Sequence, residues 1–472
     1  MVFSSLFFVY MFLPLNLLFY YMAKDIKTKN IIMLLFSLLF YSWNSPKYLI
    51  LLLVMTLNGW IGAQLIQRFR KNGKIFLITT ISIFLLILGY FKYAGFFVEI
   101  FNFLSPKNLT VPNIILPIGI SFYTFQLLSY VVDVYREEVS AQKNFFLLLL
   151  YVSLFHQCIA GPIVRYSDVE YDILNRKLNY KEIKDGVKRF CYGLGKKSIL
   201  ANGIAVVADK YLILNNINAL KEVPALGIWL GALAFAFQIY FDFSAYSDMA
   251  IGMGLMTGFH YKENFQHPYV SRSITEFWRR WHISLGSFFR DYVYIPLGGN
   301  RTGNLFVNLF VVWFLTGMWH GASWNYILWG LYFFVFLVFE KMFFKKVLDN
   351  APKIISWAIT FIVLLIGWIL FKFENFNFMI AALKGMFGLN GNEVVNSQVL
   401  LTVKNNIFLI LFCFIASTTL FKNLYEKAKS FSMRRKSLLV PLYDTFTPWV
   451  ILLISTLALI GNSYNPFLYF QF

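Results

Sequence analysis

A single histidine inside a long apolar stretch is the residue of this sequence best placed to do chemistry. Phe310 to Tyr332 reads FVVWFLTGMWHGASWNYILWGLY, and His320 stands in it without a lysine, arginine or acid. An ionisable group at lipid depth is expensive, and it faces a bundle interior or a wet cavity. Gly317, Gly321, Ala322 and Ser323 flank it. Side chains that small let a second helix, or a substrate, come close. An imidazole, with an ordinary pKa near ~6.5, is a neutral base at working pH, and burial favours that form further. Proton acceptance is therefore the chemistry expected of His320. The competing reading is a structural histidine bonded to a neighbouring helix.

A second constellation, EFWRRWHISLGSFFRDYVYIPLGGNRTG, runs from Glu276 to Gly303. If its first part is one helix, Trp278 and His282 share a face and Arg279 neighbours His282. Arg279, Arg280, Arg290 and Arg301 put four cations near a membrane. They suit lipid phosphates by snorkelling, or the phosphates of an anionic acyl donor. Asn300 and Trp319 join them as candidate donor-binding residues. PLGGNRTG lacks the Lys-Ser/Thr pair of a phosphate-binding P-loop and reads as a glycine-rich turn.

Asp242 and Asp248 lie in QIYFDFSAYSDMAIGMGLMTGFH. Six residues of helix turn through about 600°, so the two do not share a face and are no paired-carboxylate device. Pairing with the arginines of the second constellation is the expected role, with Asp242 also a donor-binding candidate. His156, His260 and His267 have no metal-ligand spacing, and no GxSxG elbow occurs. Cys158, Cys191 and Cys413 form no CxxC pair and read as small buried hydrophobes.

These residues need elements that hold them at membrane depth. Of 472 residues, 58% are apolar and 14% charged, well under the roughly 25% charged of soluble domains. With about 20 residues per crossing, the apolar runs leave room for roughly ten to thirteen spans. The fold class is all-α and polytopic, a single membrane domain over residues 1–472 with no internal repeat. The net charge of +19 comes from short basic clusters between apolar runs. That pattern fits cytoplasmic loops and anionic lipid rather than nucleic acid. Residues 3–22 read as a retained first span, and 24–29, 68–74, 164–190 and 421–437 as cytoplasmic. For 164–190 to return to that side, 144–163 must be re-entrant or broken, with Gly161-Pro162 a plausible break. Two spans meet head to tail at His320–Ser323, and both termini fall outside. The tail NSYNPFLYFQF is apolar, so it should pack into a groove.

The two histidine blocks, with AGPIVRYSDV, FDFSAYSDMAIGMGLMTGF and the terminal NPFLYFQF, resemble the membrane-bound O-acyltransferase (MBOAT) family. The likeness is to its alginate and peptidoglycan O-acetylation branch, with teichoic acid D-alanylation a related one. The resemblance implies a ring of roughly 11–13 transmembrane or re-entrant helices around a central funnel, with the family's histidine at His320 and its second polar position at His282. It implies an acyl thioester donor, acetyl-CoA or an acyl carrier protein, as substrate, with no bound cofactor or metal. It also implies an extracytoplasmic esterase-like (SGNH-type) partner, a bacterial cytoplasmic membrane, and a cell-surface polysaccharide as acceptor. Tyr469 carries the only side-chain hydroxyl of NPFLYFQF and is a candidate acyl relay. A lipid-linked sugar transporter is the alternative from another class; it should show repeats and broken half-helices.

Overall fold

A computed structural model describes residues 1–43, 46–105, 108–159, 161–344, 347, 350–435, 437–461 and 467–468. Every regular element among them is helical. Seven helical runs are long and apolar enough to cross a membrane: Lys47–Arg68, Arg70–Leu104, Ala225–Thr257, Trp324–Phe344, Lys353–Lys372, Ser397–Ala416 and Leu439–Ile460. Phe8–Met22, Leu305–His320 and Phe376–Met386 are shorter apolar helices. The all-α polytopic class is as the composition requires, because only helices close their own backbone hydrogen bonds in lipid.

The residues gather into two compact units. One comprises Met1–Phe190 with Tyr246–Glu263, the other Cys191–Ala245 with Asn264–Phe472.

In the first unit, helices Lys47–Arg68 and Gly73–Leu88 meet at Gly62, whose missing side chain leaves room for Thr80. Asp25 caps Ile26–Ser42, accepting from the Thr28 N–H at 2.9 Å. The buried Arg176 guanidinium donates to the Tyr20 hydroxyl at 2.8 Å and to Asn30 Oδ1 at 2.6 Å. The expected break in 144–163 is present: helix Phe145–Ser153 ends, and a buried non-helical stretch follows. It comes earlier than Gly161-Pro162. Gly161 lies inside the stretch at φ 101°, a conformation glycine adopts without strain. His156 faces the Tyr261 hydroxyl at 3.2 Å, and His260 faces Asp172.

The second unit is built around a helical hairpin, Leu305–His320 and Trp324–Phe339, turning at Gly321–Ser323. The head-to-tail meeting expected there is observed. Glycines set the closeness of its arms. A side chain at Gly317 would run into the Tyr326 carbonyl, and one at Gly330 into the Trp313 carbonyl. Trp278 packs on this hairpin, with ring centroids 4.8 Å from Trp313, 5.4 Å from Trp329 and 4.9 Å from Phe333. Its helix, Ile274–Arg280, is capped by Ser273 and by Glu340, which accepts the Ile274 N–H at 2.7 Å.

That helix stops at Arg280. His282 follows in the left-handed region, at φ 45° and ψ 54°, and a new helix begins at Ile283. Trp278, Arg279 and His282 therefore do not share one helical face. The expectation of a continuous helix fails because the chain reverses its twist at His282, a conformation uncommon for a non-glycine residue.

Candidate active site

The C-terminal end of Leu305–His320 brings the His320 imidazole into an aromatic cage. Its ring centroid lies 4.9 Å from Trp319, 4.9 Å from Trp329 and 5.2 Å from Phe371, each edge to face. His320 is 9% exposed and lines a cavity of about 20 Å³ together with Asp242, Phe243, Trp281, Trp368 and Leu468. That volume suits a water or two, since one water needs roughly 10–15 Å³. The lining is mostly apolar carbon, with the imidazole and the Asp242 carboxylate as its titratable groups.

His282 stands one ring back from this cavity. Its centroid is 4.7 Å from Phe243, which lines the cavity, and 5.7 Å from Trp319, which touches His320. His282 Nδ1 is 3.3 Å from Asn264 Oδ1, and the fully buried Asn264 also accepts from the Ser284 N–H at 3.1 Å and hydroxyl at 2.9 Å. The Asn264 carbonyl accepts from the Ile283 N–H at 3.0 Å. Asn264 thus holds the strained turn and the ring together. An acceptor at Nδ1 assigns the proton there and leaves Nε2 with its lone pair. Nε2 has no hydrogen-bond partner among the described residues. His282 lies outside the candidate spans, and burial lowers its pKa to about 3, so it is a neutral ring.

Asp242 does not pair with the arginines of 279–301. Its partner is Lys197, at 2.5 Å, with both side chains almost fully buried. Asp248 likewise pairs elsewhere, with Arg189 at 2.9 Å. The arginines have nearer acids: Arg280 bonds Glu276 one turn back at 2.9 Å, and Arg290 bonds the adjacent Asp291 at 2.6 Å. Local carboxylates cost the least chain entropy to reach, so they win over Asp242 and Asp248. Arg279 and Arg301 are not part of the cavity lining, and Asn300 accepts from the Tyr294 hydroxyl at 2.7 Å. The structure therefore brings His320, Trp319, His282 and Asp242 together and leaves the cations outside the cage. Tyr469 lies outside the described residues, whereas its near neighbour Phe467 is buried, as the apolar tail requires.

Lys197, Asn264, Trp329 and Phe371 complete the site and were not singled out from the sequence. Lys197 stands at the edge of an apolar run beside Lys196, a position that does not tell a buried lysine from an interfacial one. Asn264, with a short amide side chain in a mixed segment, carried no signal.

The model of the membrane-bound O-acyltransferase family matches residues 7–380, both histidines included. A probable alginate O-acetylase of Pseudomonas putida is 39% identical over 501 aligned positions, covering 100% of both chains. A peptidoglycan O-acetyltransferase of Helicobacter pylori is 34% identical over 520 positions, covering 100% of this chain and 98% of the relative. A teichoic acid D-alanyltransferase of Bacillus subtilis is 28% identical over 305 positions, covering 60% of this chain and 75% of the relative. The chain belongs to the membrane-bound O-acyltransferase family. It is a multi-pass membrane acyltransferase, and the transporter alternative falls away.

Proposed function

We propose that this protein O-acetylates a cell-surface polysaccharide, taking the acetyl group from a cytoplasmic thioester, acetyl-CoA or an acylated carrier protein. The observation that carries the reading is His320 itself, an imidazole within the family-matched region that faces a small, mostly apolar cavity. Two relatives covering the whole chain, named for O-acetylation of alginate and of peptidoglycan, favour acetyl and a glycan acceptor over the shorter and more distant match to a D-alanyltransferase.

In this mechanism neutral His320 takes the proton of an acceptor hydroxyl as its oxygen attacks the thioester carbonyl. The C–S bond breaks, the thiolate leaves, and it receives the proton held by the imidazole. Atoms and charge balance without a metal or a redox partner. General base catalysis contributes typically about 10²–10⁴-fold. His282, oriented by Asn264, positions the donor through Trp319 or shares the proton path, and Arg279, Arg280, Arg290 and Arg301 receive the donor's phosphates outside the cage. In a relayed form of the same step the attacking hydroxyl is that of Tyr469, and its acetyl ester then passes to a nucleophilic hydroxyl of an esterase-like partner, which restores the phenol. The protein works as one domain in a bacterial cytoplasmic membrane, with both termini outside.

Purified protein with a radiolabelled acetyl thioester and the glycan acceptor, with its partner where needed, is the decisive assay. His320→Ala should abolish transfer while the protein stays folded and inserted. Full transfer by that variant would remove His320 as the base. Asn264→Ala should lower the rate by less, because it disturbs only the seat of His282. Tyr469→Phe deletes one oxygen, and undiminished glycan product would make the tail a plug alone.

A further inference from the structure

Arg272 and Lys353 are cations without a counter-charge. Neither side chain makes a hydrogen bond or ion pair among the described residues, although acids are at hand. Glu276 is already occupied: its carboxylate takes the Arg280 guanidinium at 2.9 Å and the backbone N–H of Arg272 at 2.9 Å. Glu340 is occupied in the same way, by the Ile274 N–H at 2.7 Å and the Thr275 N–H at 3.2 Å.

The two cations stand where two hollows of the second unit meet. One is a groove of about 410 Å³, lined by both cations and by Phe237, Trp357, Phe361 and Phe414. The other is a polar hollow of about 450 Å³ that shares Arg272 and Lys353 and adds Ser273, Glu276 and Ser356. Each volume falls in the roughly 300–1,000 Å³ range of ligand sites. The groove wall is fixed by its own contacts. Trp357 stacks on Phe361 with centroids 5.4 Å apart and meets Phe414 edge to face at 6.0 Å. Its indole N–H donates to the Tyr269 carbonyl at 2.8 Å.

Lys353 begins one helix able to cross a membrane, and Phe414 lies in the last turn of another, Ser397–Ala416. Both helices therefore leave the apolar layer at this groove. Its cations fall at headgroup depth and its rings at acyl-chain depth, with Trp357 in the interfacial aromatic belt. The basic helix Leu420–Arg435 starts two residues after Thr418, which also lines the groove. Such a segment draws anionic lipid to the surface.

We propose that these joined hollows bind one anionic phospholipid, its phosphate between Arg272 and Lys353 and an acyl chain along Phe414, Trp357 and Phe361. The guanidinium fork suits phosphate oxygens, and the lysine adds a point charge. A bare phosphate would leave the aromatic groove unfilled. A neutral lipid would leave both cations unanswered. The combination selects an anionic amphiphile. The site shares no lining residue with the His320 cavity, and it stands whether or not acetyl transfer is the reaction.

The test uses the full chain in phosphatidylcholine nanodiscs doped with a lipid carrying a photoactivatable diazirine in its acyl chain. The probe is either phosphatidylglycerol or phosphatidylcholine, and cross-linked peptides are mapped by mass spectrometry. A basic side chain near the membrane surface is worth roughly five-fold in affinity for anionic lipid, so two give about 25-fold. The phosphatidylglycerol probe should exceed the other by about that factor on the peptides holding Ile354–Phe361 and Phe414–Thr418. Arg272→Gln with Lys353→Gln should abolish the excess, and either change alone should leave about five-fold. Both side chains are exposed, so these variants should keep the parent's thermal midpoint. Equal labelling by the two probes, or an undiminished excess in the double variant, overturns the proposal. Competition separates the sources of the phosphate. Unlabelled phosphatidylglycerol should suppress the labelling, whereas glycerol 3-phosphate and acetyl-CoA should not. Suppression by glycerol 3-phosphate would make this a plain anion site, and suppression by acetyl-CoA a donor site; either result refutes the lipid.

Discussion

Asp242 and Asp248 sit six residues apart on one helix, in equally apolar sequence, and serve different ends. Asp242 meets a single lysine with side-chain exposures of 3% and 2%, in the wall of the cavity. Asp248 meets Arg189 with exposures of 16% and 26%, and that arginine also holds Glu263 through two further bonds. The first is a sealed pair at the heart of the site. The second is a more exposed network in which one arginine is shared by two acids. Identical residue types in similar sequence thus yield a pair that must not be broken and one that tolerates loss.

The comparison breaks most sharply if Asp242 is altered alone. Asp242→Asn removes the negative charge facing the buried Lys197 ammonium and should cost about 3–5 kcal/mol, read as a lowered thermal midpoint in detergent. Replacing both partners, Lys197→Met with Asp242→Leu, should recover most of that loss, because apolar groups of similar volume substitute well for a buried ion pair. If the double variant is as unstable as the single one, the pair is not the self-contained unit described. Gly330→Ala supplies a scale from pure packing. Its new methyl would collide with the Trp313 carbonyl, for a cost of about 1–3 kcal/mol. Asp248→Asn should cost only about 1 kcal/mol, since Arg189 keeps Glu263. A loss as large as that of Asp242→Asn would erase the distinction. Smallest of all, Glu263→Gln should lower the midpoint by less than Asp248→Asn does, and added salt should shrink the difference.

His320 was legible in the sequence because a histidine without charged neighbours in an apolar run carries a desolvation cost that only a built interior offsets. The hairpin turn at Gly321–Ser323 was legible because small residues leave little choice there. Topology called for a break in 144–163, but the sequence misplaced it at Gly161-Pro162, after the helix has already ended at Ser153. His282 was singled out, but its backbone placement was not foreseen. A left-handed histidine between two seven-residue helices has no sequence signature, and a helical pattern across it was the simpler expectation. Lys197 follows Lys196 at the end of a basic segment, where an interfacial lysine and a buried one look alike. The cage around His320 was not legible either. With aromatics at 20% of the chain, Trp329 and Phe371 are two among many until tertiary packing selects them.

The smallness of the cavity carries a consequence beyond acyl transfer. Membranes hold a voltage, and a continuous water thread through a protein would discharge it. Three aromatic rings pressed on His320 and a void sized for a water or two leave no place for a hydrated ion beside that imidazole. The proton-binding group of the candidate site is thus kept where a permeating ion could not rest against it.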